Sequence, residues 1–199
     1  MENKTEKRKN EQLLTKVGKN GNRKKILEII ELPEGIKTKI EGNIIRLVKG
    51  NEELKRKLEY KARLDGNKII LECEKSTKKE KKLIKTNAAH LRNMISGLKE
   101  KYIYKLQICS VHFPINVSVK GNKLIIKNFL GEVKDRTAKI LPNVELKVEK
   151  EIITIESSDK EKAGQTAANI EKATRIRNRD RRIFQDGIFI TEKCKGVRK

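Results

Sequence analysis

The chain has 199 residues, which allows one domain or two small ones. Hydrophobic residues make up 36% and aromatic residues 4%, without Trp, so any core must be built from Ile, Leu and Val, and two modest cores fit better than one large core. The 49 Lys and Arg residues exceed the 27 Asp and Glu residues and give a formal charge of +22, and the absence of any run of 18 apolar residues excludes a membrane-spanning helix.

Residues 1–25 are predicted to form a basic N-terminal extension. They are polar and charged apart from Leu13, Leu14 and Val17, and they lack the apolar stretch of a secretory signal. So little apolar surface cannot offset the entropy cost of ordering, and we therefore expect this extension to be disordered in the free protein.

A first α+β domain is predicted over residues 26–100, and it begins with a β-hairpin. Apolar residues alternate over Ile36–Ile40 and return over Ile45–Val48, with Gly42-Asn43 between the two runs. Because glycine accepts the positive φ that tight hairpin turns require, this dipeptide predicts the turn.

The rest of the first domain is predicted to contain two more strands and a helix. Residues 55–64 are expected to pair as one strand and residues 68–73 as the next. After a charged connector, residues 86–98 are predicted to form a helix with Thr86 or Asn87 as its N-cap.

The second half, residues 101–190, repeats this order. The segment Ile115–Gly131 matches Ile36–Gly50, because both alternate, turn at Gly-Asn and end in glycine, and Ala163–Ile176 is predicted to be the second covering helix. The offset of about 80 residues indicates a duplicated domain. The predicted fold class is therefore α+β, with two similar tandem domains from an internal duplication, each an antiparallel sheet covered by one helix, and with basic terminal extensions, the second over residues 191–199.

Arginines are concentrated where the second helix is expected to end. Five of the thirteen lie within eight residues: Arg175, Arg177, Arg179, Arg181 and Arg182. The first two would lie at the end of that helix, where cations also stabilise the helix dipole.

A short helix is predicted to follow, from Asn178 as its N-cap to Gly187, which would end it in the left-handed conformation. Ile183 and Phe184 would be buried, so that the arginines between them and Asn178 face outward. Ile188–Ile190 would then form a final strand. The apolar residues would thus fix the arginines to a rigid support.

Fixed guanidinium groups suit phosphate oxygens, which they bind in bidentate fashion, and each neutralised phosphate releases counterions. A basic cluster on so basic a chain is the electrostatic footprint of a nucleic-acid-binding protein. Two alternatives are an anionic membrane surface as the partner and a solvated surface whose arginines pair with Asp180 and Asp186. Two carboxylates cannot neutralise five arginines, so nucleic acid is the favoured partner.

Residues for catalysis or metal binding are not grouped in the sequence. His90 is predicted to lie on the first helix and His112 at the start of a strand, and both are expected to be structural. Cys73, Cys109 and Cys194 are far apart and odd in number, so we predict neither a disulfide framework nor a zinc site, and we expect an intracellular protein. No P-loop or G-x-G-x-x-G is present. We expect no enzyme activity, cofactor, metal or small-molecule substrate.

Three segments, HFPINVSV, IIKNFLGE and RNRDRRIFQDGIFITEK, resemble the universal large-subunit ribosomal protein six family in its eukaryotic form, also called eukaryotic large-subunit ribosomal protein nine. The resemblance covers about Ile26 to Lys193. It implies two similar α+β domains, in agreement with the repeat, and a structural, non-enzymatic role in the cytoplasmic ribosome beside neighbouring ribosomal proteins.

The resemblance also implies a binding site. The family binds large-subunit rRNA near the sarcin–ricin loop, beneath the site where translational GTPases dock, mainly through the second domain and its C-terminal extension. Carried over to matching positions, the rRNA-binding residues would be Arg175, Arg177, Arg179, Arg181, Arg182, Lys193 and Lys195, with Lys127 and Arg136 as weaker candidates.

The first domain departs from the family pattern. The lysine cluster and paired tryptophans of typical members are replaced by LEYKARLDGNKIILECEKSTKKEKK, so contacts made through that region are open. An alternative function on the same fold is a non-ribosomal RNA-binding or RNA chaperone module, which would be absent from mature subunits.

Overall fold

A computed structural model describes residues 26–73 and 77–194. The predicted N-terminal extension, Lys195 and the rest of the predicted C-terminal tail beyond Cys194 lie outside the described residues. The chain divides into two compact units between Leu98 and Lys99, called unit 1 and unit 2 below. No helix in the described part of the chain is long and apolar enough to cross a membrane.

The described residues of unit 1 form six strands and one helix. They are β1 Ile26–Glu31, β2 Lys37–Glu41, β3 Ile44–Lys49, β4 Glu52–Lys57, β5 Ala62–Asp65, β6 Lys68–Cys73 and α1 Lys78–Lys99. The strands form two antiparallel sheets, in the orders β2-β3-β4 and β1-β6-β5.

The predicted hairpin of unit 1 is confirmed. Strands β2 and β3 pair on either side of Gly42-Asn43, and Gly42 has a φ of 58°. The prediction of a single strand over residues 55–64 is wrong, because two strands separated by a turn occupy this region. Leu58 leaves the sheet after β4 to become buried, and its N–H donates to the Asn43 carbonyl at 2.7 Å.

Helix α1 begins at Lys78, well before the position predicted for it. Thr77 and Glu80 form a capping box, in which the Thr77 N–H and hydroxyl donate to the Glu80 carboxylate at 3.0 and 2.6 Å and the Glu80 N–H faces the Thr77 hydroxyl at 3.4 Å. The expected N-cap is therefore wrong: Thr86 donates to the Lys82 carbonyl within the helix, and Asn87 is buried. Lys and Glu are good helix formers, which is why the charged stretch continues the helix.

Unit 2 repeats these elements and adds one strand. They are β7 Tyr102–Cys109, β8 Asn116–Lys120, β9 Lys123–Lys127, β10 Arg136–Lys139, β11 Glu145–Glu149, β12 Ile152–Ser157, α2 Lys160–Ala173 and β13 Gly187–Glu192. The antiparallel sheets have the orders β8-β9-β10 and β11-β12-β7-β13. The predicted α+β fold with two similar repeated units is confirmed.

The added strand distinguishes the two units. Strand β13 pairs with β7. The strand of unit 1 that is equivalent to β7 is β1, which pairs with β6 and with no other strand in the described residues. The final strand predicted at Ile188 and Ile190 is confirmed, and it begins five residues after Arg182, the last of the clustered arginines. The chain that follows these arginines therefore enters a four-stranded sheet.

Each unit has its own core, and Ile and Leu supply most of both. In unit 1, Ile84, Ala88 and Leu91 of α1 are buried in one cluster with strand residues such as Ile45 and Leu71. In unit 2 the corresponding cluster includes the following buried residues: Leu124, Ile126, Phe129, Ile153, Ile155, Ala167, Ile170 and Ile188. The covering helix of each repeat thus packs on its sheets, as the duplicated pattern predicted.

Lys150 occupies a turn position whose left-handed conformation favours glycine. It precedes β12 with a φ of 51°, whereas Gly66 stands before the equivalent strand β6 with a φ of 54°. Replacing Lys150 with Gly is expected to raise the free energy of unfolding by about 0.5–1 kcal/mol, because the left-handed strain outweighs the added flexibility of the unfolded chain.

Urea unfolding measures this change as a higher midpoint with an unchanged m-value. The matched control is Lys147→Gly in β11, where the backbone is extended and pairs with Thr154 of β12. This substitution should lower the free energy of unfolding by about 0.5–1 kcal/mol. Equal effects of the two substitutions would contradict the assignment of strain to Lys150.

Candidate nucleic-acid interface

The arginine-rich segment, defined here as Arg175–Arg182, follows the end of helix α2. Asp159 is the N-cap of α2, and its carboxylate accepts from the N–H groups of Glu161 and Lys162 at 3.0 and 3.5 Å. The helix ends at Ala173 rather than at the predicted Ile176. Arg175 and Arg177 therefore lie beyond the helix, and not in its last turn as predicted.

The start of the segment is fixed by a buried threonine. Thr174 is almost fully buried, and its hydroxyl accepts from the N–H of Ile188 in β13 at 3.0 Å and donates to the Glu171 carbonyl at 3.2 Å. Since Ile188 belongs to the strand that follows the segment, this contact joins its two ends.

The short helix predicted between Asn178 and Gly187 is wrong. Asn178 adopts a φ of 57° and Gly187 begins β13. A single turn that begins at Asp180 replaces the helix: the Asp180 carbonyl accepts from the N–H groups of Ile183 and Phe184 at 3.2 and 3.0 Å. Ile183 is 63% exposed, so the prediction that it is buried is also wrong, while Phe184 packs half-buried against the core of unit 2.

The far end of the segment is held by Asp186, whose side chain is 1% exposed. Its carboxylate accepts from the N–H groups of Val111 and His112 at 2.7 and 2.9 Å and faces His112 Nδ1 at 2.6 Å. Burial opposes ionisation of Asp186, but the hydrogen bonds from His112 and Val111 outweigh it and lower the pKa of the carboxyl. His112 also contacts the ring of Phe184, with centroids 5.0 Å apart, in agreement with its predicted structural role.

The three sequence segments that carry the family resemblance meet in unit 2. Asp186 of QDGIF binds His112 of HFP, as described above. Asn128 of NFLG has a φ of 57° and donates to the Pro114 carbonyl at 3.1 Å, and the ring of Phe113 lies against Gly131. These contacts span up to 74 residues of sequence, so the segments stabilise one surface together.

All five arginines of the segment are exposed. Arg182 forms an ion pair with Asp180 at 2.8 Å, which lowers the pKa of that carboxyl, and Arg179 lies over the ring of Phe184 at 4.9 Å. Within residues 26–73 and 77–194, no carboxylate forms an ion pair with Arg175, Arg177, Arg179 or Arg181. Asp186, the second possible counterion, is occupied by His112 instead.

The two weaker candidates for rRNA binding, Arg136 and Lys127, make different contacts. Arg136 binds both carboxylate oxygens of Glu132 at 2.6 and 2.8 Å, lies over Phe129 at 4.2 Å, and donates to the carbonyls of Ala173 and Arg175 at 3.0 and 3.2 Å. Its guanidinium therefore supports the start of the arginine-rich segment, a role that the sequence did not reveal. The Arg136 hydrogen bond also lowers the pKa of Glu132.

Of the three lysine candidates, the two that lie within the described residues are exposed. Lys127 ends β9, with its Nζ 4.0 Å from Asp135. Lys193 follows β13, and Lys195 lies outside the described residues. No group of three or more side chains in the described ranges is arranged to hold a metal ion. The surface around Arg175–Arg182 is thus basic and held at both ends.

Comparison with known proteins finds matches in one protein family. The model of the family described as Ribosomal protein L6 matches residues 113–187. The large ribosomal subunit protein uL6 of Methanococcus vannielii is 42% identical over 172 residues, covering 85% of this chain and 94% of the relative. The chain belongs to the uL6 family. The uL6 protein of Aeropyrum pernix is 40% identical over 172 residues, or 84% of this chain and 94% of the relative.

The family resemblance expected from the sequence is therefore confirmed. The matched uL6 region extends from Phe113 to Gly187 and includes NFLGE, helix α2 and all five arginines. Members of the uL6 family are structural ribosomal proteins, so the expectation that this chain is not an enzyme is confirmed as well.

Proposed function

We propose that this uL6 protein is a structural constituent of the large ribosomal subunit and binds large-subunit rRNA through Arg175–Arg182. The observation that carries the proposal is the exposure of Arg175, Arg177, Arg179 and Arg181 without an ion pair in the described residues, on a segment tied down at Thr174 and Asp186.

The fixed ends of the arginine-rich segment favour its binding to RNA. Holding both ends before RNA arrives reduces the conformational freedom lost on association. Guanidinium groups then meet phosphate oxygens as bidentate, charge-assisted partners. The formal charge of +22 repels itself in the free chain, and rRNA phosphates relieve that repulsion. Lys193 and Lys195 extend the proposed contact, and Lys127 is a secondary candidate on the same unit.

Family membership supports a finer placement. We propose that the contacted rRNA lies near the sarcin–ricin loop, beneath the site where translational GTPases dock, with other ribosomal proteins as neighbours and the cytoplasm as the compartment. Chemical probing of large subunits with and without this protein tests the placement. Protection confined to rRNA remote from that loop would overturn it, whereas protection at its base supports it.

Sedimentation tests the ribosomal role itself. The full chain should sediment with purified large subunits at physiological salt and remain bound after washing at moderate salt. A non-ribosomal RNA chaperone would instead bind precursor particles and be absent from mature subunits. Mature large subunits that lack the chain would therefore contradict the proposal.

A further inference from the structure

A groove of about 810 Å³ lies in unit 2 beside the arginine-rich segment. It is bounded by the second half of α2, the loop after β7, the single turn at Asp180 and the start of β13. Its volume falls in the range of about 300–1,000 Å³ that is typical of ligand pockets. The phosphate contacts proposed above do not use the floor of this groove.

The floor of the groove presents an exposed aromatic ring. Phe189 of β13 is 45% exposed, although it lines the groove. Its ring lies over Gly187, where a Cβ atom would stand 2.9 Å from the tip of the ring. The missing side chain at Gly187 therefore allows the ring to lie close to the strand. Val111 and Ile176 add apolar surface to the same floor.

The rim of the groove is mostly cationic. Lys172, Arg175 and Arg181 line it and are exposed, and the two arginines form no ion pair in the described residues. Glu171 adds one carboxylate, whose Oε1 accepts from the Ile190 N–H at 3.4 Å. Asp186 also lines the groove but is already bound to His112. An anionic occupant with a flat apolar part matches this combination.

We propose that the groove receives one unstacked nucleobase of the bound RNA, stacked on Phe189, with the flanking phosphates on Arg175 and Arg181. The inference rests on the proposed function and specifies the form of its RNA partner: a bulged or single-stranded nucleotide rather than a continuous duplex. Sequence-tolerant recognition of unpaired RNA commonly uses aromatic stacking of this kind. Glu171 also lines the groove, so its carboxylate could accept a hydrogen bond from an exocyclic amino group of the base.

Three variants of the full chain test the proposal, with deproteinised large-subunit rRNA as the probe. Phe189→Leu keeps the apolar volume but loses the flat ring, and it should weaken binding by about 5- to 100-fold without changing the salt dependence, because stacking releases no counterions. Phe189→Tyr keeps the ring and should stay within about twofold of wild type. Gly187→Ala displaces the ring and should weaken binding in the same direction as Phe189→Leu.

Thermal unfolding of each variant shows whether a loss of rRNA binding is caused by misfolding. Misfolding is not expected for the Phe189 variants, because the Phe189 ring is half exposed. Zero-length ultraviolet cross-linking of large subunits should attach a nucleotide to a peptide that contains Phe189 or the groove residue Cys109. Unchanged affinity of Phe189→Leu, or a cross-link from Phe189 to a neighbouring protein, would overturn the inference while leaving the proposed function intact. Loss of wild-type rRNA binding would overturn both.

Discussion

Simultaneous replacement of Arg175, Arg177 and Arg181 with Ala is expected to weaken binding to large-subunit rRNA by about a thousandfold at physiological salt. Each exposed guanidinium would lose a charge-assisted hydrogen bond to phosphate of about 1.5 kcal/mol or more, and three such losses give that factor. The slope of log K against log salt should also fall by about 2 to 3 units, since each neutralised phosphate contributes about 0.7 to 0.9. Filter binding from 50 to 300 mM salt measures both quantities.

A matched control separates the loss of a specific contact from the loss of net charge. Lys79, Lys81 and Lys82 are exposed on α1, and their joint replacement with Ala removes the same charge while preserving helix propensity. This variant should change the slope by less than about 1 unit. Equal losses of rRNA affinity for the two triple variants would show that binding depends only on the total charge, and this result would contradict the assigned site.

The neighbouring arginines Arg181 and Arg182 provide an internal comparison. Arg182 is paired with Asp180 at 2.8 Å, whereas Arg181 forms no ion pair in the described residues. Because the carboxylate competes with phosphate for Arg182, Arg181→Ala should weaken rRNA binding more than Arg182→Ala does.

The repeated architecture was predictable because its signals are local. The turns at Gly42 and Gly121 both have a φ of 58°, and alternation on either side of each predicts the strands that the structure contains. The start of α1 was predictable too, since Thr77 and Glu80 have the spacing of a capping box. The run of lysines that follows Thr77 has the composition of a solvated connector, and this composition conceals the start of the helix.

The arginine-rich segment was only partly predictable, because its shape depends on distant contacts. Charge clustering identified the residues, but local capping rules predicted a helix where the chain forms a single turn at Asp180. The segment is instead shaped by Thr174 contacting β13 and by Asp186 contacting His112, a partner 74 residues earlier in the sequence. Arg136 was likewise expected to face RNA, and its bonds to Ala173 and Glu132 were not apparent from the sequence.

Replacement of Asp186 with Ala is expected to lower the free energy of unfolding by about 2–4 kcal/mol. The substitution would leave the N–H groups of Val111 and His112 without their acceptor in a part-buried site and would remove the hydrogen-bond partner of the His112 ring. The partial exposure of His112 reduces the effect relative to a fully buried pair. Denaturant unfolding measures the loss, and Asp186→Asn, which keeps an acceptor oxygen, should lose less than Asp186→Ala.

The pH dependence of the same variants distinguishes the carboxylate charge from the shape of its side chain. Folding lowers the pKa of Asp186, so the folded state binds this proton less readily than the unfolded state does. The stabilisation is therefore complete above the unfolded pKa of about 3.9 and is lost as the pH falls through the lower folded value. The stability gap between wild type and Asp186→Asn should narrow as the pH falls from about 5 to below about 4. A gap that widens as the pH falls over this range would show that Asp186 is not held in its ionised form, and the anchor assigned to the far end of the arginine-rich segment would then be wrong.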